Sequence, residues 1–172
     1  MDNLPQLFMR HPDITNIPDL TLPEGMTIHT HTEGDEKNWE TLIESAFGQH
    51  YSFDEFIRNG GGYAPEYVLY LSKDGKDIAT TTAVEKDIYP GEGWFRMVGV
   101  LPASRGLGAG KLIALAALHS LRDRGYKTAV LSTDDERIAA LCLYYKLGFR
   151  PLYTHESHKE RWEKLLPILT AR

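Results

Sequence analysis

Cysteine is almost missing from this chain. Cys142 is the one example in 172 residues, which excludes an internal disulfide framework and a thiol pair for a metal. It falls in an apolar helical stretch and reads as a small core residue. An excess of positive charge is missing as well. The formal net charge is −5, and no lysine–arginine cluster interleaved with aromatics occurs, which argues against a nucleic-acid binder. The opening residues MDNLPQLFMRHPD lack a basic region followed by an apolar core, so no signal peptide is expected. No apolar run approaches the length that spans a bilayer. Linkers, low-complexity tracts and internal repeats are absent too. The expectation is a cytoplasmic protein of one domain over 1–172, with a proline-rich arm over 1–25. At 42% apolar and 25% charged residues, such a chain can build an ordinary globular core.

The informative stretch runs from Val98 to Gly125, VGVLPASRGLGAGKLIALAALHSLRDRG. Val98, Val100 and Leu101 suit a buried strand, and Pro102 ends it because proline cannot continue a ladder. A helix follows over 112–121, with Gly125 as its stop. Glycines at a helix start leave amide N–H groups unpaired and unshielded, and the helix dipole favours an anion there. Arg105 adds a planar fork of donors suited to phosphate oxygens. A Walker A loop is excluded, because Arg105 stands where its first glycine belongs and Leu112 where its hydroxyl belongs. The dinucleotide fingerprint fails because no third glycine is correctly placed and a long turn separates the glycines from the strand. What remains is R-x-x-G-x-G, carried by Arg105, Gly108 and Gly110.

A second pattern follows. Residues 128–132 read as a strand, Thr133 and Glu136 as a T-x-x-E capping box, and Gly148 as the left-handed close of the next helix. The run from Ala140 to Phe149 reads A-x-x-L-Y-x-K-x-G-F. The two patterns together resemble the GNAT-type N-acetyltransferases, whose pyrophosphate loop binds acetyl-CoA. The resemblance covers 94–153 most closely. The proline-rich arm and the terminal RWEKLL segment look like those of mycothiol-synthase-like members.

The resemblance implies an α/β fold, a mixed central sheet of about six to seven strands flanked by helices. Elsewhere the residues give strands over 7–10, 26–31, 94–100 and 150–154. Helices are expected over 35–47, where Trp39, Leu42, Ile43 and Ala46 keep helical spacing, and after a Ser52–Glu55 capping box. Segments 66–72 and 77–84 form a hairpin about an Asp74-Gly75 turn. The family usually ends in a further strand. Here 159–169 reads as an amphipathic helix with Trp162, Leu165, Leu166 and Leu169 on one face, so the N-terminal strand is expected to take the missing strand's place.

For the chemistry, a thioester acyl transfer needs a neutral amine, a donor for the oxyanion and a proton for the thiolate. Tyr144 suits the last role, since a phenol keeps its proton at neutral pH. Arg137, Ala140 and Tyr144 share one helix stripe, while Tyr145 belongs to the neighbouring stripe expected to pack on the sheet. Gly99 inside a strand signals a bulge or a close approach, or room for Trp94 or Phe95. The resemblance implies that Val98, Gly99 and Val100 offer backbone groups to the pantetheine arm. It likewise assigns acetyl-CoA to Arg105, Gly106, Leu107, Gly108, Ala109, Gly110 and Lys111, and to Thr133, Arg137, Ala140 and Tyr144. Arg137 departs from the family's asparagine. No glutamate occupies 94–100, which leaves Glu85 and Glu92 as candidate bases, a water chain as an alternative, and Arg96 as a carboxylate binder or a cross-sheet partner.

His29 and His31 share a strand face without a third metal ligand, and His155 and His158 read as surface residues. The aromatic residues between Trp39 and Tyr70 either shape an acceptor pocket or fill the core. The stretch from Asn59 to Tyr63, with its glycine run at 60–62, is a mobile substrate lid or a flexible surface loop. The expected function is transfer of acetyl from acetyl-CoA to a small-molecule primary amine, without metal, nucleic acid or membrane, a homodimer being left open. A non-catalytic acyl-CoA-binding or sensing domain is the principal rival, and an ATP-binding loop the second.

Overall fold

The computed structural model describes residues 4–59, 64–85 and 89–171. The strands are β1 (Leu7–His11), β2 (Met26–Thr30), β3 (Val68–Lys73), β4 (Lys76–Glu85), β5 (Gly93–Val100), β6 (Ala129–Thr133) and β7 (Arg150–Leu152). They form one seven-stranded sheet in the order β2-β3-β4-β5-β6-β1-β7. The α-helices are α1 (Glu36–Phe47), α2 (Ala109–Asp123), α3 (Ile138–Lys146) and α4 (His158–Thr170). The expected hairpin is present as β3 and β4. The helix after Ser52 is a short π-helical turn, Asp54–Arg58, and Glu55 N–H donates to Ser52 Oγ at 3.4 Å.

The N-terminal strand does complete the sheet. β1 lies between β6 and β7 and pairs antiparallel with both, Leu7 opposite Thr133 and Phe8 opposite Leu152. Its alternation is why it fits there. Leu7 and Met9 are fully buried in the principal core with α2, α3 and α4, while Phe8 joins Trp94 and Val130 in a separate cluster. The chain ends in α4 rather than in a strand, with Trp162, Leu165 and Leu169 buried.

Two features of β5 create the site. Its parallel pairing with β6 is confined to Gly93–Ala129 and Trp94–Val130, and beyond Trp94 the strands part. It also carries a bulge, for β4 advances from Thr80 to Thr82 while β5 passes from Gly99 to Arg96. Met97 takes a left-handed φ of 55° within it, and Thr81 Oγ1 donates to Arg96 O at 2.9 Å. A bulge resets the alternation of a strand. Phe95 before it and Val98 and Val100 after it therefore join the α2–α3 core, while Gly99 turns to α1. A Cβ on Gly99 would stand 3.1 Å from Ile43 Cδ1 and 3.2 Å from Ala46 Cβ. Gly99 thus serves close helix-on-strand packing, and the neighbour it accommodates is α1 rather than Trp94 or Phe95.

One expected cap is overturned. Thr133 is the last residue of β6, paired with Leu7, and α3 starts at Ile138 with Arg137 as its cap residue. A strand partner has claimed the threonine, so T-x-x-E forms no capping box here. Gly148 does close the helix at φ 104°.

Candidate active site

Where β5 and β6 part, a cavity of about 930 Å³ opens, within the range of small-molecule sites. One wall is the loop leading into α2. Gly108 caps this helix in the left-handed region, φ 76°, a conformation glycine adopts without strain. The first closure is Leu112 N–H to Gly108 O at 3.0 Å, so the amides of Ala109, Gly110 and Lys111 have no partner within the helix. Arg105, Gly106, Gly108, Ala109, Gly110 and Lys111 all line the cavity. Among the described residues Arg105 and Lys111 make no ion pair. Two unneutralised cations beside a helix N-terminus are an anion site. A Cβ on Gly110 would make only ordinary contact with Leu143 Cδ2 at 3.4 Å and Val100 Cγ2 at 3.8 Å. Leu107 is 42% exposed and lies outside the cavity lining.

The opposite wall comes from β6 and α3. Thr133, Arg137, Ala140 and Tyr144 line it, so the stripe read from helical spacing faces one space. Tyr144 is buried, its ring edge-on to Phe95 at 5.8 Å and to Phe149 at 6.1 Å. Burial pushes its phenol up to about 12, with Arg137 pulling the other way. The neutral, protonated form is thereby held across the physiological range. Tyr144 both packs on the sheet and lines the cavity. Tyr145, assigned to the sheet from its stripe, is only half-buried and carries the Arg150 guanidinium over its ring at 4.1 Å.

Val98 and Val100 of β5 complete the floor, together with Arg96 and Met97. Gly99 does not line the cavity. Of the two candidate bases, Glu92 is not brought to it. Glu92 ion-pairs with Arg10 of β1 and is absent from the lining. The Glu85 side chain lies outside the described residues, and its backbone pairs with Gly93 at the other end of β5 from the glycine loop. The glycine run at 60–62 also lies outside the described residues. His29 donates to Asp77 Oδ1 at 2.8 Å and His31 is hydrogen-bonded to Tyr70 Oη at 3.0 Å, so both rings are engaged by protein groups. His158, read as a surface residue, is fully buried, its ring stacked on Phe8 of β1 at 6.2 Å.

Three of the aromatic residues between Trp39 and Tyr70, expected to shape a pocket or fill the core, line the cavity. Phe47, Tyr51 and Phe56 form an edge-to-face aromatic chain at one end, Tyr51 to Phe56 at 4.9 Å. Arg137 lays its guanidinium over Phe47 at 4.3 Å, joining α3 to α1 across the cavity. Gln6, Ser132 and Asp134 also line the space. Gln6 precedes β1 and stands more than a hundred positions from its partners, which no local pattern encodes.

The Acetyltransferase (GNAT) family model matches residues 33–149, a span that holds the bulged strand, the glycine loop and Tyr144. The chain belongs to the GNAT acetyltransferase family. A mycothiol acetyltransferase of Thermomonospora curvata is 33% identical over 153 residues, covering 83% of this chain and 50% of the relative. The chain therefore spans about half the length of the curated relatives it matches. A GCN5-related N-acetyltransferase from Sphaerobacter thermophilus superposes with a TM-score of 0.68 at 25% identity, over 87% of this chain and 50% of that one. The ribosomal-protein-S18-alanine N-acetyltransferase of Escherichia coli shares the fold, with a TM-score of 0.63 at 23% identity, covering 74% and 79% of the two chains. Among the described residues no helix is long and apolar enough to cross a membrane.

Proposed function

We propose that this GNAT chain transfers an acetyl group from acetyl-CoA to a primary amine of a small molecule. The observation that carries the reading is the shared cavity, with an anion-binding helix start at one wall and a buried, protonated tyrosine at the other. The residues present suit the cosubstrate. Arg105, Lys111 and the free amides at the start of α2 match a pyrophosphate in charge and donor geometry. Beyond Trp94, β5 has no β6 partner, so backbone groups around Val98 and Val100 are available to an extended amide-bearing arm, as an added strand would use them. The same groups supply the donor that an oxyanion requires. Ala140 is small and leaves room beside Tyr144.

The reaction then needs little else from the protein. The neutral amine attacks the thioester carbonyl, the C–S bond breaks, and Tyr144 donates a proton to the departing sulfur. The tyrosine is restored by the proton lost from the attacking nitrogen. With Glu92 engaged by Arg10, water removes the first proton from the ammonium form. A small-molecule acceptor suits the aromatic end of the cavity, and the relative from Thermomonospora curvata is named for one.

Thiol release from acetyl-CoA, followed against a panel of primary amines, tests the reading. Amine-dependent release that Tyr144→Phe slows sharply is the expected result. Binding of acetyl-CoA without release for any amine favours the non-catalytic acyl-CoA-binding domain.

A further inference from the structure

The segment before β1 does more than complete the sheet. Arg161 of α4, only 12% exposed in its side chain, donates from Nη1 to Pro5 O at 2.8 Å and grips Asp135 through both Nε and Nη2. One guanidinium thus ties the residue before Gln6 to the turn that follows β6. Between these anchored points the Gln6 amide bridges the strand end. Ser132 Oγ donates to Gln6 Oε1 at 2.9 Å, and Gln6 Nε2 donates to Asp134 Oδ1 at 2.9 Å. All three side chains line the cavity that holds Tyr144.

Asp134 is the acid this arrangement presents to the cavity. Its other oxygen, Oδ2, stands 3.4 Å from Arg137 Nε, while the Arg137 plane is stacked on Phe47. An ionised carboxylate has about four lone-pair sites, so Gln6 and Arg137 leave acceptor capacity unused on an acid that lines the cavity. An alkylammonium entering the aromatic end of the cavity sheds water and needs such acceptors, since unpaired buried charge is costly.

We infer that Asp134, oriented by Gln6, binds the ammonium group of the acceptor before acetyl transfer, and so selects cationic amines over neutral molecules of the same shape. The inference rests on the acetyl-transfer reading and assigns no covalent step to Asp134. It also gives the replacement of the family's last strand a consequence, because the incoming N-terminal segment delivers Gln6. Arg161 is a positioning residue in this scheme.

Calorimetric titration of the CoA-loaded chain tests it without turnover. The probes are 2-phenylethylamine and 2-phenylethanol, matched in shape and suited to the Phe47, Tyr51 and Phe56 wall. The wild-type chain is expected to bind the amine about tenfold more tightly, the size of a charge-assisted hydrogen bond to a partly exposed acid. Asp134→Asn should bring the two affinities together, and Gln6→Ala should give a ratio between those of wild type and Asp134→Asn. Affinity for CoA should stay unchanged in both variants, showing that the cavity is intact. A preference that survives in Asp134→Asn overturns the inference, as does a wild-type chain that fails to prefer the amine. Failure of the wild-type chain to bind CoA would instead remove the acetyl-transfer reading on which it rests.

Discussion

Replacing Tyr144 with phenylalanine deletes one oxygen and keeps the ring that packs edge-on against Phe95 and Phe149. Stability should therefore change little, and the effect should fall on the chemical step. Burial raises the phenol from its ordinary 10 to about 12, which corresponds to roughly 3 kcal/mol in favour of the protonated form. Tyr144 is consequently a donor at every pH an assay can use. General acids contribute on the order of 10²–10⁴-fold, so Tyr144→Phe should lower kcat by at least about 100-fold, or ~2.7 kcal/mol of barrier. The acetyl-CoA Kd should stay within about twofold, because the anion site lies on the opposite wall. The assay is thiol release at saturating acetyl-CoA across pH 6 to 10, paired with calorimetry of acetyl-CoA binding. The wild-type profile should show no falling alkaline limb from Tyr144, since its proton is held beyond that range. A variant that keeps kcat within about twofold of wild type would refute the assignment of the acid.

Other consequences concern the loop and the fold. Arg105→Ala and Lys111→Ala should each weaken acetyl-CoA binding by about tenfold, and the loss should shrink as salt is raised, because exposed phosphate contacts are screened; calorimetry at low and high salt reads this. Gly148→Ala should cost about 1–3 kcal/mol, since the residue has φ 104° and its Cβ would stand 2.6 Å from His11 Nε2, and thermal unfolding should show a Tm lower by several degrees. Stability should decline as pH falls below about 6.5. His11 and His158 are held below the ordinary histidine value, chiefly by burial, so their unfolded forms take up protons first. His29, where burial is outweighed by hydrogen bonds to Asp77 and Thr30, is raised and offsets part of that loss. Unfolding midpoints measured between pH 5 and 8 check the sign, and His29→Asn should steepen the decline.

The parts of the site that a sequence reveals are those built by neighbours in the chain. The turn into α2, the left-handed Gly148 and the Arg137–Ala140–Tyr144 stripe follow from short-range sterics and helical period, and each stands where those rules put it. Thr133 shows the limit of such rules. Its capping pattern is correct in spacing, yet β1 pairs with it from the far end of the chain and keeps it in a strand. Gly99 signals the bulge in β5, yet the positive φ falls on Met97, and nothing in an unbranched methionine announces that. Gly99 drew attention for the right reason, a close approach, but its partner is α1. Glu92 is drawn to Arg10 by the insertion of β1, and Gln6 reaches Asp134 by the same insertion. These contacts depend on topology, which local periodicity does not encode.

The central claim is that the space between β5 and β6 receives acetyl-CoA. Calorimetric titration of the purified chain with acetyl-CoA, with ATP and NAD as controls, tests it most directly. Saturable one-to-one binding of acetyl-CoA, with no heat from ATP or NAD, is the result expected. No binding of acetyl-CoA, or equal binding of ATP, would mean that the glycine loop at the start of α2 is a turn or a general anion site, and the account would fail.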